Sequence, residues 1–246
     1  MKTSLHLQSI HHKKINLNRY LTLLAVFFAF LIGNTLCAQN NSVILDTKWI
    51  PSKPEVLTYR TISAGDTGLY QLTILKGDST IETYINIISP GYTKSVSGFM
   101  TTEMIPLRST GKIFVNNQIQ MDTEITYDAE NLNVTTVMIP FNRTVKKVIL
   151  YTGRVVDPAQ VPFISRVLPL KKDAAFEFPS LNPQNNTLVP FSVKVVGEET
   201  VMNIECYKVE IKHFEGEAMH WVEKASPHRL VRTEQPSQHR ITELIQ

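Results

Sequence analysis

The sequence predicts a mostly-β fold: a single curved antiparallel meander sheet, a half-barrel or open barrel, with one short helix. Period-2 alternation of apolar and polar residues recurs along the chain, while helical spacing is confined to one stretch. Thr, Val, Ile and Tyr dominate the alternating runs, and their branched or flat side chains suit a pleated, half-buried surface. Brief turns bearing Gly, Asn, Asp or Pro separate the runs, so neighbouring strands pair antiparallel.

Residues 1–38 read as a signal peptide, set aside before the fold is considered. Lys2, Lys13, Lys14 and Arg19 precede the apolar run LTLLAVFFAFLIG, which ends at Gly33, and Asn34-Thr35-Leu36-Cys37-Ala38 follows. The run is shorter than the roughly 20 residues that span a bilayer. Cleavage of the signal peptidase I type near Ala38 and export to the periplasm are expected, with a retained N-terminal anchor as the alternative. Lipidation of Cys37 would want a small residue before it and Leu three positions back, where Leu36 and Asn34 stand. The leader holds four of the 25 Lys and Arg residues and none of the 22 acidic ones, so its removal turns the net charge from +3 to −1. The remaining chain offers no global electrostatic case for nucleic acid and no polybasic run for anionic lipid.

Residues 39–246 are read as one β half-barrel domain, long enough to bury a core of its own. Cys206 is the single cysteine left there, so no internal disulfide can form. Alternation predicts strands over 55–62, 69–75, 80–88, 92–101, 106–114, 119–127, 132–139 and 143–151. Lys76-Gly77-Asp78 marks a hairpin, because Gly takes the positive φ that a tight connection needs. Ile81, Thr83, Ile85 and Ile87 share one face of their strand, and Asp122 and Glu124 point away from Met121, Thr123 and Ile125. The pattern breaks over 156–170. There Asp157 is a candidate N-cap, Pro158 suits a first turn, and Val161, Ile164, Val167 and Leu168 fall near helical spacing. Pro162 and Pro169 limit that helix to about two turns. PSLNPQNN (179–186) reads as a loop and a possible internal boundary. Residues 199–245 read as four further strands, with Trp221 in the middle. About ten meandering strands must curl to bury one face, and a barrel or half-barrel with a helix in its mouth results.

Few residues suggest chemistry. Four histidines, His213, His220, His228 and His239, lie in the last thirty-five residues, but none has an H-x-H or HExxH spacing, so they are expected on exposed strands and turns. No GxSxG, P-loop or GxGxxG motif occurs. No catalytic residue, metal site or cofactor is therefore assigned. Tyr207, Val209 and Ile211 on one strand, with Met219 and Trp221 on the next, form either plain core or the wall of a pocket for a hydrophobic ligand.

The stretches Gly197-Glu198-Glu199-Thr200-Val201, Cys206-Tyr207-Lys208-Val209-Glu210-Ile211 and His220-Trp221-Val222-Glu223-Lys224-Ala225-Ser226-Pro227-His228-Arg229-Leu230-Val231-Arg232 resemble a domain-of-unknown-function family of exported bacterial proteins. That family looks like the lipoprotein-sorting carriers of the cell envelope, whose fold is a curled antiparallel half-barrel closed by helices. The resemblance implies structural roles for Trp221, Pro227 and Arg232: Trp anchors the sheet, Pro sets the turn, and Arg pairs with a Glu on a neighbouring strand. The expected function is a non-enzymatic periplasmic protein that binds or chaperones a lipid or other hydrophobic molecule. Two other classes stay open: an envelope interaction module with a filled core, which docks a protein partner, and an envelope hydrolase.

Overall fold

The computed structural model describes residues 43–245; the expected signal peptide, its cleavage near Ala38 and the state of Cys37 lie outside the described residues. The first eight strands are β1 (Glu55–Ser63), β2 (Asp66–Lys76), β3 (Thr80–Ser89), β4 (Tyr92–Thr101), β5 (Pro106–Val115), β6 (Gln118–Tyr127), β7 (Asn131–Met138) and β8 (Arg143–Leu150). Helix α1 (Val161–Val167) interrupts them. The remaining strands are β9 (Ala175–Asn182), β10 (Thr187–Val201), β11 (Ile204–His213), β12 (Gly216–Glu223), β13 (Leu230–Gln235) and β14 (Arg240–Leu244).

All fourteen strands form one sheet in the order β8-β7-β6-β5-β4-β3-β2-β1-β14-β13-β12-β11-β10-β9. Every neighbouring pair is antiparallel. The meander β1 to β8 runs out to one edge. The chain then crosses to the opposite edge and returns as β9 to β14, where β14 pairs with β1. The sheet is a mostly-β antiparallel meander with one α-helix among the described residues, as the alternation predicts. It has fourteen strands rather than about ten; β9 and β10 flank the expected loop, and the first half of 179–186 belongs to β9. Residues 179–182 lie in β9 and pair with β10, and only 183–186 make the turn. Pro179 sits on an edge strand, where a missing N–H costs no ladder bond.

A twisted sheet of this size curls, and here its two edges approach without hydrogen bonding to each other. Ile125, Tyr127, Leu132 and Val134 of β6 and β7 cluster with Val155 and with Leu181 of β9, and Ile149, Tyr151 and Leu188 pack against them. Side chains thus seal the seam. The backbone of β9 is covered by the crossover: Val156 N–H donates to the Pro179 carbonyl at 2.8 Å and Leu181 N–H to the Val156 carbonyl at 3.3 Å. The other edge, β8, is blunted by Arg143, Lys146 and Lys147, charges that discourage strand addition.

Helix α1 plugs one end of the barrel. Phe163, Ile164 and Val167 are fully buried among Leu57, Ile74, Ile81, Phe178, Phe191 and Val209, each burial of that kind contributing about 1.5–3 kcal/mol. The cap differs from the expected one. Gln160 is the N-cap and Pro162 occupies the first turn, while Asp157 anchors a separate turn ahead of the helix. Gly98 on β4 lets that turn approach, since a Cβ there would stand 2.7 Å from the Ala159 Cβ and 2.9 Å from the Thr83 Oγ1. No helix among the described residues is long and apolar enough to cross a membrane.

Candidate functional site: the barrel lumen

At the end away from α1 the barrel encloses a cavity of about 750 Å³, within the roughly 300–1,000 Å³ of small-molecule sites. Its floor is the start of the plug, Pro158, Val161 and Pro162, and its mouth carries turn residues of the β9–β10 and β11–β12 connections, Asn185 and Phe214 among them. Strand alternation decides which side chains reach it. Strands β3 to β8 supply most of the apolar lining, including Ile85, Val96, Ile113, Met121, Ile125 and Met138, together with the hydroxyls of Ser109, Thr123 and Thr136 and the cations Lys94 and Arg143. The facing wall, from β1, β2 and β11 to β14, is mainly polar, with Tyr59, Tyr70, His220, Thr233, Gln235 and Thr242. The lumen is two-sided.

Polar groups on the second wall are sparsely satisfied. The Tyr59 and Tyr70 rings meet edge to face at 5.4 Å, and neither hydroxyl has a hydrogen-bond partner. Burial pushes both phenols above their ordinary range. His220 is 6% exposed with its Nδ1 unpartnered, and burial, aided by the nearby His213, lowers its pKa to about 3. It is neutral at any physiological pH. The Thr61 and Thr242 hydroxyls bond each other at 3.0 Å.

At the mouth, Lys94 Nζ lies 3.3 Å from Glu215 Oε1, and Arg240 Nη2 lies 3.9 Å from Glu215 Oε2. Burial alone would raise the Glu215 carboxyl, but Lys94, His213 and Arg240 together hold it below the ordinary range. His213 is lowered by burial, against the pull of Glu215, and its Nδ1 accepts from the Glu215 N–H at 3.3 Å.

Floor and wall are joined by a buried carboxylate. Asp157 Oδ2 accepts from Ser109 Oγ at 2.6 Å and from the Tyr127 hydroxyl at 2.5 Å, and its Oδ1 accepts from Ala159 N–H at 2.7 Å. Burial raises its pKa despite these three donors. Gln160 completes the latch, donating to the Met104 carbonyl at 2.9 Å. Beneath the plug Arg166, with its side chain 1% exposed, grips Glu55 at 2.8 and 3.1 Å and donates to the carbonyls of Pro227 and His228. Arg166 thereby ties α1 to β1 and to the β12–β13 loop.

The residues singled out as a pocket wall do not share one surface. Val209 and Ile211 belong to the core around the plug. Tyr207 lines a smaller cavity of about 300 Å³ with Trp49, Ser165 and His228. Met219 and Trp221 lie on the outer face with Cys206 and Val231. The register explains the division: Val209 pairs with His220 and Lys208 with Trp221, so His220 turns inward as Trp221 turns out. The expectation of exposed histidines is therefore corrected at His220. It also fails at His213, which lines the mouth of the same cavity, and at His228, half-buried in the lining of the smaller one.

Trp221 donates from Nε1 to Glu199 at 3.1 Å, and its ring is flanked by Lys208 at 5.2 Å and Arg232 at 5.4 Å. Arg232 also pairs with Glu234 on its own strand and, at 3.3 Å, with Glu243 on β14. Pro227 follows a cis Ser226–Pro227 bond. Beside Trp221, burial and Glu223 raise the Cys206 thiol to about 11, so it is not a nucleophile at neutral pH. Among the described residues no three His, Cys, Asp or Glu side chains come together to hold a metal.

Comparison with known proteins bears on the fold. A beta-barrel-like protein of domain of unknown function DUF1849 from Brucella abortus superposes with a TM-score of 0.57 at 11% identity, over 80% of this chain and 98% of that one. A DUF1329 family protein from Desulfovibrio piger covers 80% of this chain and 85% of its own at 12% identity, with a TM-score of 0.28. No curated protein matches. Residues 57–238 match the model of DUF3108, a protein family of unknown function, and span the barrel from β1 to the turn before β14. The chain belongs to the DUF3108 family.

Proposed function

We propose that this protein is a non-enzymatic holder of a lipid or other elongated hydrophobic molecule, working in the periplasm or elsewhere in the cell envelope. The observation that carries the reading is the 750 Å³ lumen, with most of its apolar lining on β3 to β8 and its helical floor. A core that merely stabilises a sheet is packed to the density of an organic crystal, whereas this lumen is hollow above the plug. The basic and apolar leader supports export. A curled sheet with a helix at one end is also the architecture of the lipoprotein-sorting carriers that the C-terminal motifs resemble, which supports a carrier's role. In place of catalysis, the Nδ1 of His220 is unpartnered and that of His213 is bonded to a backbone N–H, so neither Nδ1 is held by the carboxylate that orients a general base.

Purification from the native envelope, followed by native mass spectrometry and lipid extraction, tests the reading. A bound apolar molecule of defined mass is expected, released on unfolding and displaced by a fluorescent fatty acid. Reproducible recovery of empty protein that also fails to bind the fluorescent probe would sink it.

A further inference from the structure

We infer that the mouth of the lumen binds the acid group, carboxylate or phosphate monoester, of an alkyl-chain ligand, with Lys94 and Arg240 supplying the counter-charge. The inference rests on the lumen's being a ligand site and adds the chemical class of the ligand. Lys94 from β4 and Arg240 from β14 converge on one carboxylate, Glu215, so the cluster retains a positive charge. Their side chains are 30% and 27% exposed, enough to be reached through the mouth and shielded enough to strengthen a charge-assisted bond. Arg143 of β8 also lines the cavity and makes no ion pair among the described residues, which adds a third cation.

Deeper in the lumen the polar wall presents groups lacking partners of their own: the Tyr59 hydroxyl, the Tyr70 hydroxyl and His220 Nδ1. Tyr59 and His220 are 1% and 6% exposed, and an unsatisfied buried polar group costs about 1–3 kcal/mol. Opposite them stand Ile85, Val96, Met121 and Ile125, interspersed with Ser109, Thr123 and Thr136, whose hydroxyls already have partners in Asp157 and in each other. A guest with an alkyl chain along one wall and an acid at the mouth matches this division. A neutral hydrocarbon would leave the cations at the mouth unanswered.

The test is competition against a fluorescent fatty acid, using palmitic acid, hexadecyl phosphate and hexadecanol, which share one alkyl chain. Either or both acids should bind roughly tenfold or more tightly than the alcohol, a difference of about 1.4 kcal/mol. The ranking of the two acids tells carboxylate from phosphate. Added salt should weaken the acids and leave hexadecanol unchanged. The Lys94→Gln/Arg240→Gln double variant should lose the preference, and Glu215→Gln, which removes the resident carboxylate, should tighten acid binding several-fold. If all three probes bind equally, the acid site is overturned while the lumen reading stands. If none binds, both fall. Should the double variant not fold, the wild-type ranking and its salt dependence decide the question alone.

Discussion

The Tyr127 hydroxyl donates to the Asp157 carboxylate at 2.5 Å, so that β6 holds the turn from which the plug helix descends. Ser109 on β5 donates to the same oxygen. Three donors converge on a fully buried side chain, and each would be left without an acceptor if the carboxylate were removed. Tyr127→Phe is expected to cost about 1–3 kcal/mol, and Asp157→Ala more than that. Urea denaturation checks the ranking, and equal, negligible losses would mean that the latch does not hold the plug.

The Arg166–Glu55 pair gives a second stability prediction. Arg166 makes two bonds to Glu55 and two to backbone carbonyls, all beneath the plug. Glu55→Ala leaves a buried guanidinium uncompensated and is expected to cost about 3–5 kcal/mol. Replacing Arg60, whose side chain is 52% exposed and pairs with Glu243 at the surface, should change stability by at most about 1 kcal/mol. A comparison of the two melting curves tests the difference.

His220 predicts a pH dependence. Its folded pKa, about 3, lies below the ordinary imidazole value of 6.5, so over that window the unfolded chain binds one proton more than the folded one. Stability is then full above pH 6.5 and falls as the pH drops, by about 1.4 kcal/mol per unit. Asp157 acts in the opposite sense: its raised carboxyl favours the folded state at low pH, an effect lost as pH rises through its folded value. The contribution of His220 is isolated by comparing wild type with His220→Phe between pH 6.5 and 4.5. The variant's slope should be shallower, and parallel curves would contradict a buried neutral imidazole.

Gly98 predicts where the plug can be dislodged. A Val side chain there would strike Ala159 and Thr83, and neither can move without shifting the Asp157–Gln160 turn or the wall. Gly98→Val should cost about 1–3 kcal/mol and expose the crossover, 151–174, to limited proteolysis. Unchanged protection of that segment would rule the contact out as a control point.

Filling the lumen gives the functional counterpart. Ala218 is 5% exposed and lines the cavity, so Ala218→Trp should abolish binding of a fluorescent fatty acid while the far-ultraviolet spectrum stays that of a β-protein. Retained binding would place the ligand elsewhere.

Much of the fold was legible because half-buried strands advertise themselves by alternation. The run 92–101 matches β4 residue for residue, and the bounds of β1, β3 and β5 fall within a residue of the expected ones. β9 was hidden because its Pro179 and the Asn-rich turn after it look like a loop to any local rule, and only an edge position makes that proline tolerable. The lumen was not legible. Around Trp221 both faces of the sheet bury apolar side chains, Val209 and Ile211 inside and Cys206 and Val231 outside, so alternation could not say which face was inner. That depended on how the strands pair across the sheet, Val209 with His220 and Lys208 with Trp221, and on which way the sheet curls. The cluster of Lys94, Glu215 and Arg240 joins Lys94 to two residues more than a hundred positions further on, a proximity that the pairing of β14 with β1 creates by joining the two halves of the sheet.

The seam between β8 and β9 distinguishes this molecule from a cylinder whose girth is fixed by a continuous ladder. Because only side chains such as Leu132, Leu181 and Leu188 meet there, the wall can part at that line without breaking a single inter-strand backbone bond. Its circumference is held by side-chain packing along one line, as in a spring clip. The resistance to widening is set by a handful of apolar contacts rather than by the sheet itself.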